Sequence, residues 1–169
     1  MTIRMAHGIG LHDASQEINL APADRQRRRL VWYSLYILDR LVALQLGTAI
    51  MIRDLEFSVE LPSEAGFQEG EYYSPTSSLL MTPSEISYIR QTAGLSAIIG
   101  DAIQRLYRPG QNVNDLNKLL ETIGSLDLEL CTWRDMLPSH LRFDHAHPFE
   151  TSHVFRRQVL DFISQFNSF

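Results

Sequence analysis

The chain is poor in several things that many functions require. Only one of its 169 residues is cysteine, Cys131. An intramolecular disulfide is therefore excluded, and so is a cysteine-rich zinc site. Lys118 is the single lysine, so the basic residues are otherwise all arginine. Arginine's planar fork suits bidentate and partly buried ion pairs, although GC-rich coding gives the same bias. Positive charge is not in surplus: 20 acidic residues face 15 basic ones, for a net charge of −5. Sequence-independent binding to nucleic acid needs cations facing phosphate, and the chain as a whole does not supply them. Long apolar runs are missing too. The longest stretch, Leu41 to Ile52, is broken by Gln45, Gly47 and Thr48, and a membrane helix needs about 20 residues. The opening MTIRMAHGIG has no long apolar run and no small-residue cleavage pattern, so it is not a signal peptide.

What is present describes a folded domain. Hydrophobic residues make up 44% and charged residues 21%, which argues against disorder of the whole chain. A chain of this length buries about 70% of the surface its unfolded form exposes. Helical signals dominate, and helices are expected over about 2–8, 22–46, 83–108, 113–137 and 151–166. The first ends at Gly8 and Gly10 and reads as the last turns of a helix, which suggests a fragment of a longer chain. Asp13 to Ala21 is polar and reads as a loop. Pro22 suits a first helical position, Asp24 complements the helix dipole, and Gly47 is a natural stop. Between them Leu30, Val31, Trp32, Tyr33, Leu35, Tyr36, Ile37 and Leu38 follow almost without a break. A helix apolar on nearly every face is expected at the centre of a domain, with Trp32, Leu35, Tyr36 and Leu38 buried.

Ile50 to Leu61 reads as extended or irregular chain, and about 62–82 as one long surface loop. Thr82-Pro83-Ser84-Glu85 has the form of a capping box. Ile86, Ile89, Ala93, Ala97, Gly100 and Gln104 would share one face of the helix that follows, its small residues suggesting close helix–helix approach. Leu116, Leu119, Ile123, Leu126, Leu130, Trp133 and Leu137 alternate steps of three and four, a full heptad seam. The flanking Leu120 and Met136 widen the apolar face, as expected for a helix inside a bundle. The expected fold is all-α: an irregular helical bundle with a buried central helix and one long surface loop, forming a single partial domain over 1–169.

Catalytic patterns are absent. No Gly-rich phosphate loop, nucleophile elbow or zincin motif occurs, so no catalytic or cofactor-binding residue is assigned. Cys131, two positions before Trp133, reads as an inert small hydrophobe rather than a nucleophile. His145, His147 and His153 are the best metal candidates, yet Asp-His-Ala-His reads as a solvated loop, and no metal ligand is assigned. Arg27, Arg28 and Arg29 form the one basic run. It spans less than a helical turn, with Asp24 beside it, so no nucleic-acid contact is assigned to it. Arg28, Trp32, Tyr36 and Arg40 form a stripe at i, i+4, i+8 and i+12 in which cation–π stacking is feasible. Asp39 and Arg40 sit where the helix is most apolar. Each must be paired or point to solvent, and Asp54 is a possible partner for Arg40.

The order of these residues carries a resemblance. Gly10-Leu11-His12-Asp13 is followed by a polar loop. Then come Arg27-Arg28-Arg29-Leu30-Val31-Trp32-Tyr33, Tyr36, Asp39-Arg40, Leu46-Gly47, Ile52-x-Asp54 and Leu61-Pro62. Further on, Leu130-x-x-Trp133-Arg134-Asp135-x-Leu137-Pro138 agrees as well, and so does Phe155 to Phe169. The chain resembles the middle regulatory domain of fungal binuclear zinc-cluster transcription factors, also called the fungal-specific or xylanolytic-activator regulatory domain. The family positions are Gly10, Leu11, His12, Arg28, Arg29, Trp32, Tyr36, Asp39, Arg40, Gly47, Asp54, Pro62, Trp133, Leu137 and Pro138, in structural or regulatory roles. One departure is Gly47-Thr48-Ala49, where the family has Gly-Arg-Pro.

The resemblance implies a regulatory domain acting in the nucleus on DNA-templated transcription. It would work through other parts of a larger factor, a coregulator or a small-molecule effector, without membrane contact and without touching DNA itself. Zinc would belong to the family's DNA-binding domain, whose six-cysteine cluster this chain lacks; no cofactor is expected here. An alternative is a stand-alone helical ligand-binding or interaction module with no DNA-linked role. A third reading, a hydrolase using His145 and His147, would require bound metal.

Overall fold

The computed structural model describes residues 2–63, 83–106, 116–142 and 154–165. Five α-helices follow one another: α1 (Thr2–Gly8), α2 (Pro22–Leu46), α3 (Pro83–Leu106), α4 (Leu116–Asp135) and α5 (Val154–Gln165). Short 3-10 turns cover Ala14–Glu17, Asp54–Glu56 and Ser139–Leu141, and no strand occurs among the described residues. The expected all-α class holds. The Thr82 cap, nearly all of the expected 62–82 loop, and His145, His147 and His153 lie outside the described residues.

The helix ends follow local chemistry. α2 begins on Pro22, whose missing N–H needs no partner there. It stops where Gly47 takes a left-handed φ of +63°. The Thr48 N–H then donates to the Ala43 carbonyl at 3.2 Å, the longer bond of a Schellman cap. α4 ends at Asp135, two residues earlier than the heptad pattern suggests. Pro138 explains this, because a residue preceding proline is pushed out of the helical region.

Residues Met1–Asp39 and Ile50–Ala93 form one compact unit, and Arg40–Ala49 with Gly94–Phe169 form a second. In the first unit a core gathers Ala6, Leu11, Leu30, Trp32, Tyr33, Tyr36, Ile52, Val59, Ile89 and Ala93. The second unit buries Leu95, Ile99, Leu126, Leu130, Trp133, Leu137, Leu141, Leu160 and Ile163.

Three expectations need correction. The first concerns α2, which is not buried all round. Trp32 and Tyr36 are buried as expected, but Leu38 is 57% exposed, as are much of Val31 and Leu46. At 100° per residue Leu38 points opposite Tyr36, so a helix with one buried side cannot cover both. The second concerns the α4 seam, which is split. Leu126, Leu130, Trp133 and Leu137 are buried, whereas Leu116 and Ile123 are exposed. Heptad spacing shows which residues share a face and says nothing about how far along the helix a neighbour extends. The third concerns the small-residue face of α3. Ser96 is buried and Ala97 is exposed, so the buried stripe steps 86, 89, 93, 96, 100.

Candidate functional site

Of the positions that the resemblance singles out, Arg28, Arg29, Trp32, Tyr36 and Asp39 lie on α2. Its buried side carries Arg29, Trp32, Tyr33, Tyr36 and Asp39, and most of them reach irregular chain. Irregular segments carry backbone groups that no ladder satisfies, so side chains must do so. The Arg28 Nη2 donates to the Gly10 carbonyl at 2.8 Å. The Tyr33 hydroxyl donates to the Val59 carbonyl at 2.9 Å, and burial pushes that phenol's pKa up. The Tyr36 hydroxyl donates to the Asp54 carboxylate at 2.6 Å. The Asp39 carboxylate, itself buried, accepts from the Met51 N–H at 3.0 Å and the Ile52 N–H at 3.0 Å. The Gln26 amide oxygen accepts from the Ser63 N–H at 3.0 Å, and Arg90 of α3 donates to the Pro62 carbonyl at 2.7 Å. Residues 10–12 and 51–63 are thus tied to α2 and α3 by side chains at almost every turn.

Arg29 forms the strongest of these contacts. Its Nε and Nη2 donate to Glu17 at 3.0 and 2.7 Å in a forked pair, and its Nη1 lies 3.1 Å from Glu60. Glu17 is buried, at 4% exposure. Hydrogen bonding to Glu17 raises the Arg29 pKa further above its ordinary value. Planar recognition of a carboxylate is what distinguishes arginine from lysine here. Arg27 pairs with Asp24 at 3.2 Å on the surface. All three arginines of the basic run therefore have partners inside the chain.

An aromatic cluster fills the space behind the clamps. Trp32, wholly buried, meets His7 edge-on at 5.4 Å and Phe57 at 5.5 Å, with His12 at 6.1 Å. The His7 and His12 rings stand 4.8 Å apart, and Phe57 also meets Tyr33 and Tyr36 edge-on. The His7 Nδ1 lies 3.0 Å from the Ile3 carbonyl, while the buried Trp32 Nε1 and His12 Nδ1 have no hydrogen-bond partner. Gly10 reaches this region with a left-handed φ of +69°, and a Cβ there would lie 3.1 Å from Gln16. Asp13 caps the turn that follows by accepting from Ser15. Those bonds hold its carboxyl below the ordinary value.

A shallow cavity of about 310 Å³ opens here, lined by His12, Asp13, Leu55, Glu56, Phe57 and Ser58. No group of three or more His, Cys, Asp or Glu among the described residues is arranged to hold a metal ion.

In the second unit Arg40 is fully buried. A Cβ on Gly100 would lie 3.3 Å from its Nε, a close approach that glycine permits. Trp133 is buried against Gly94, where an added Cβ would be 3.4 Å from the indole. Leu137 is buried, and Pro138 accepts from the Leu141 N–H at 2.8 Å.

The structure thus gathers Gly10, Arg28, Arg29, Trp32, Tyr36, Asp39, Asp54 and Pro62 into one system of anchors. Sequence reasoning did not single out Glu17, Gln26, Phe57, Glu60 or Arg90. Glu17 and Glu60 lie in polar stretches where one carboxylate looks like another, so no local signal marks them. The expected loop over 13–21 in fact contains a 3-10 turn that aims Glu17 inward.

Residues 1–135 match the family described as the fungal specific transcription factor domain. The chain is 30% identical over 157 residues to an ABC-transporter-regulating transcription factor of Aspergillus fumigatus, covering 90% of this chain and 16% of that protein. It is 30% identical over 148 residues to the protein of the same description in Aspergillus oryzae, covering 85% and 16%. It is 26% identical over 144 residues to transcriptional activator protein acu-15 of Neurospora crassa, covering 85% and 15%. The chain thus spans about one sixth of the length of these relatives. No solved structure matches it. With the match running through the clamped helix and on to Asp135, the chain belongs to the fungal specific transcription factor domain family.

Proposed function

We propose that this chain is the regulatory part of a fungal transcription factor and controls transcription through protein contacts, with DNA contact made by a separate domain. One observation carries the reading: the three cations of the α2 basic run are committed inside the chain. Arg27 meets Asp24, Arg28 meets Gly10, and Arg29 meets Glu17 and Glu60. Groove recognition needs cations free to face phosphate and an element that enters the groove. A net charge of −5 opposes the first. The role is non-enzymatic and nuclear, and no cofactor is assigned. Zinc would belong to a cysteine cluster that one cysteine cannot build. The contacts are with other parts of a longer factor, a coregulator or a small effector, and the family positions act as anchors that keep the presenting surface in shape.

Two measurements test this. The chain is tethered to a heterologous DNA-binding domain at a reporter in a fungal host. Reporter output should differ from that of the DNA-binding domain alone; equal output counts against a regulatory role. Fluorescence anisotropy with a mixed-sequence duplex at low salt should show no sub-micromolar, sequence-dependent binding by the chain itself. Such binding would overturn the division of labour.

A further inference from the structure

Residues 51–63 form a strap held along the buried side of α2. Its own main chain supplies one 3-10 turn, Asp54–Glu56. Side chains of α2 and α3 grip the rest. Asp39 holds the Met51 and Ile52 N–H groups, Tyr36 holds Asp54, and Tyr33 holds the Val59 carbonyl. Arg29 holds Glu60, Arg90 the Pro62 carbonyl and Gln26 the Ser63 N–H. The Ser58 N–H donates to the His12 carbonyl at 3.0 Å, and the Ser58 hydroxyl accepts from the Ala14 N–H at 3.0 Å. Between these grips the strap buries Ile52, Val59 and Pro62. It also sets the Phe57 ring against Trp32, Tyr33 and Tyr36. Residues 53–56, 58, 60 and 61 face solvent.

Two features decide how such a strap comes off. The helices do not need it for their own main chain, because each satisfies its N–H and C=O groups internally. Partial release, by contrast, is unfavourable. Freeing Ile52 alone leaves its buried N–H and the buried Asp39 carboxylate short of a partner. Freeing Val59 alone does the same to its carbonyl and the Tyr33 hydroxyl. A buried polar group without a partner is more costly than the same group in water, so releasing every grip together, with water reaching both sides, is favoured over releasing one. Spacing acts in the same direction. Successive grips lie a few residues apart along the strap, so a chain held at one of them loses little further entropy at the next.

We propose that residues 51–63 are a conformational latch that opens and closes in a single step while α2 and α3 stay helical. The open form turns to solvent the sides of Trp32, Tyr33 and Tyr36 that Phe57 covers, together with the Asp39 carboxylate. The closed form buries all four residues. A partner that recognised this aromatic surface would bind the open form alone, and its apparent affinity would follow the latch equilibrium.

Native-state hydrogen exchange on the full chain tests this. In the unaltered protein the amides of Ile52, Ser58 and Ser63 should share one opening free energy and one denaturant slope. That slope should be shallower than for residues 32–36 of α2, because the latch uncovers only part of the surface. Gln26→Ala removes the acceptor at one end of the strap. It should speed exchange about tenfold or more at Ile52, at the other end, and equally at Ser58. Asp39→Asn should speed exchange at Ser58 and Ser63 in the same way, with circular dichroism showing both variants still helical. Three results overturn the latch: different opening free energies for the three amides of the unaltered protein, a substitution whose effect stays at its own grip, or residues 32–36 exchanging in step with the strap. The comparison within the unaltered protein decides the matter even where a variant fails to fold.

Discussion

The two compact units are held together by different means. In the first, side chains of regular helices hold irregular chain. Asp39 takes two backbone N–H groups, Tyr33, Arg28 and Arg90 each give a hydrogen bond to a carbonyl, and Arg29 grips Glu17. In the second, described residues pack mainly helix on helix, with Leu126, Leu130, Trp133, Leu137, Leu160 and Ile163 buried. Its ion pairs, Arg105 with Asp101 and Glu129, are partly exposed. The contrast has a simple origin. A helix satisfies its own backbone and needs only apolar neighbours. A segment such as 51–63 satisfies little of its own, so each buried turn must be given a polar partner.

The contrast can be broken from either side. The largest loss is expected where the polar anchors meet the aromatic core. Trp32→Ala should cost about 3–5 kcal/mol, read from denaturant unfolding, because it removes a wholly buried ring. An unchanged midpoint would mean that the cluster around His7, His12 and Phe57 does not hold this unit. Glu17→Ala should cost about 3 kcal/mol, since it leaves the buried Arg29 with only the exposed Glu60. The double change Glu17→Met with Arg29→Met should cost much less than the single one, because no buried charge remains. If the two costs match, the pair acts by packing rather than by charge.

Asp39→Ala should cost about 2–3 kcal/mol by leaving the Met51 and Ile52 N–H groups without an acceptor. Hydrogen exchange sharpens this: protection should fall at 51 and 52 before it falls in α4. In the second unit, Gly124→Ala should stabilise by about 0.5–1 kcal/mol. An added Cβ there touches nothing, and glycine in a helix interior is unfavourable.

The smallest effect depends on pH. Burial raises the Tyr33 pKa above its unfolded value of 10.0. The neutral phenol is thus the folded form, and its contribution is intact below pH 10. It is lost as the pH rises from there through the folded value. Tyr33→Phe should flatten that alkaline limb in a pH series of thermal midpoints.

Much of the fold was legible in particular residues. Pro22 and Gly47 bracket α2 because one lacks an N–H and the other tolerates positive φ, and both effects are local. The apolar steps along α4 likewise identified a helix and its face. Which part of a face is covered was not legible. Leu38 and Tyr36 read alike in a run of apolar residues, yet one is exposed and the other buried. The same holds for Leu116 and Leu130 on one seam. The site was half legible. Arg29, Trp32 and Asp39 stood out as a charged and aromatic pattern on one helix. The partners of Arg29 and Asp39, which are Glu17, Met51 and Ile52, lie 12 or 13 residues away along the chain.

Local chemistry alone thus determined that this chain forms helices, where α2 starts and stops, and that it cannot build a cysteine-held zinc cluster. Each of these depends on a residue and its near neighbours in sequence: a missing N–H, an absent Cβ, a count of thiols. Tertiary structure decided which arginine meets which carboxylate, which side of α2 is covered, and which loop carbonyl each tyrosine or arginine reaches. Those outcomes depend on distances between residues far apart along the chain, and burial and hydrogen bonding have no range in sequence, only in space.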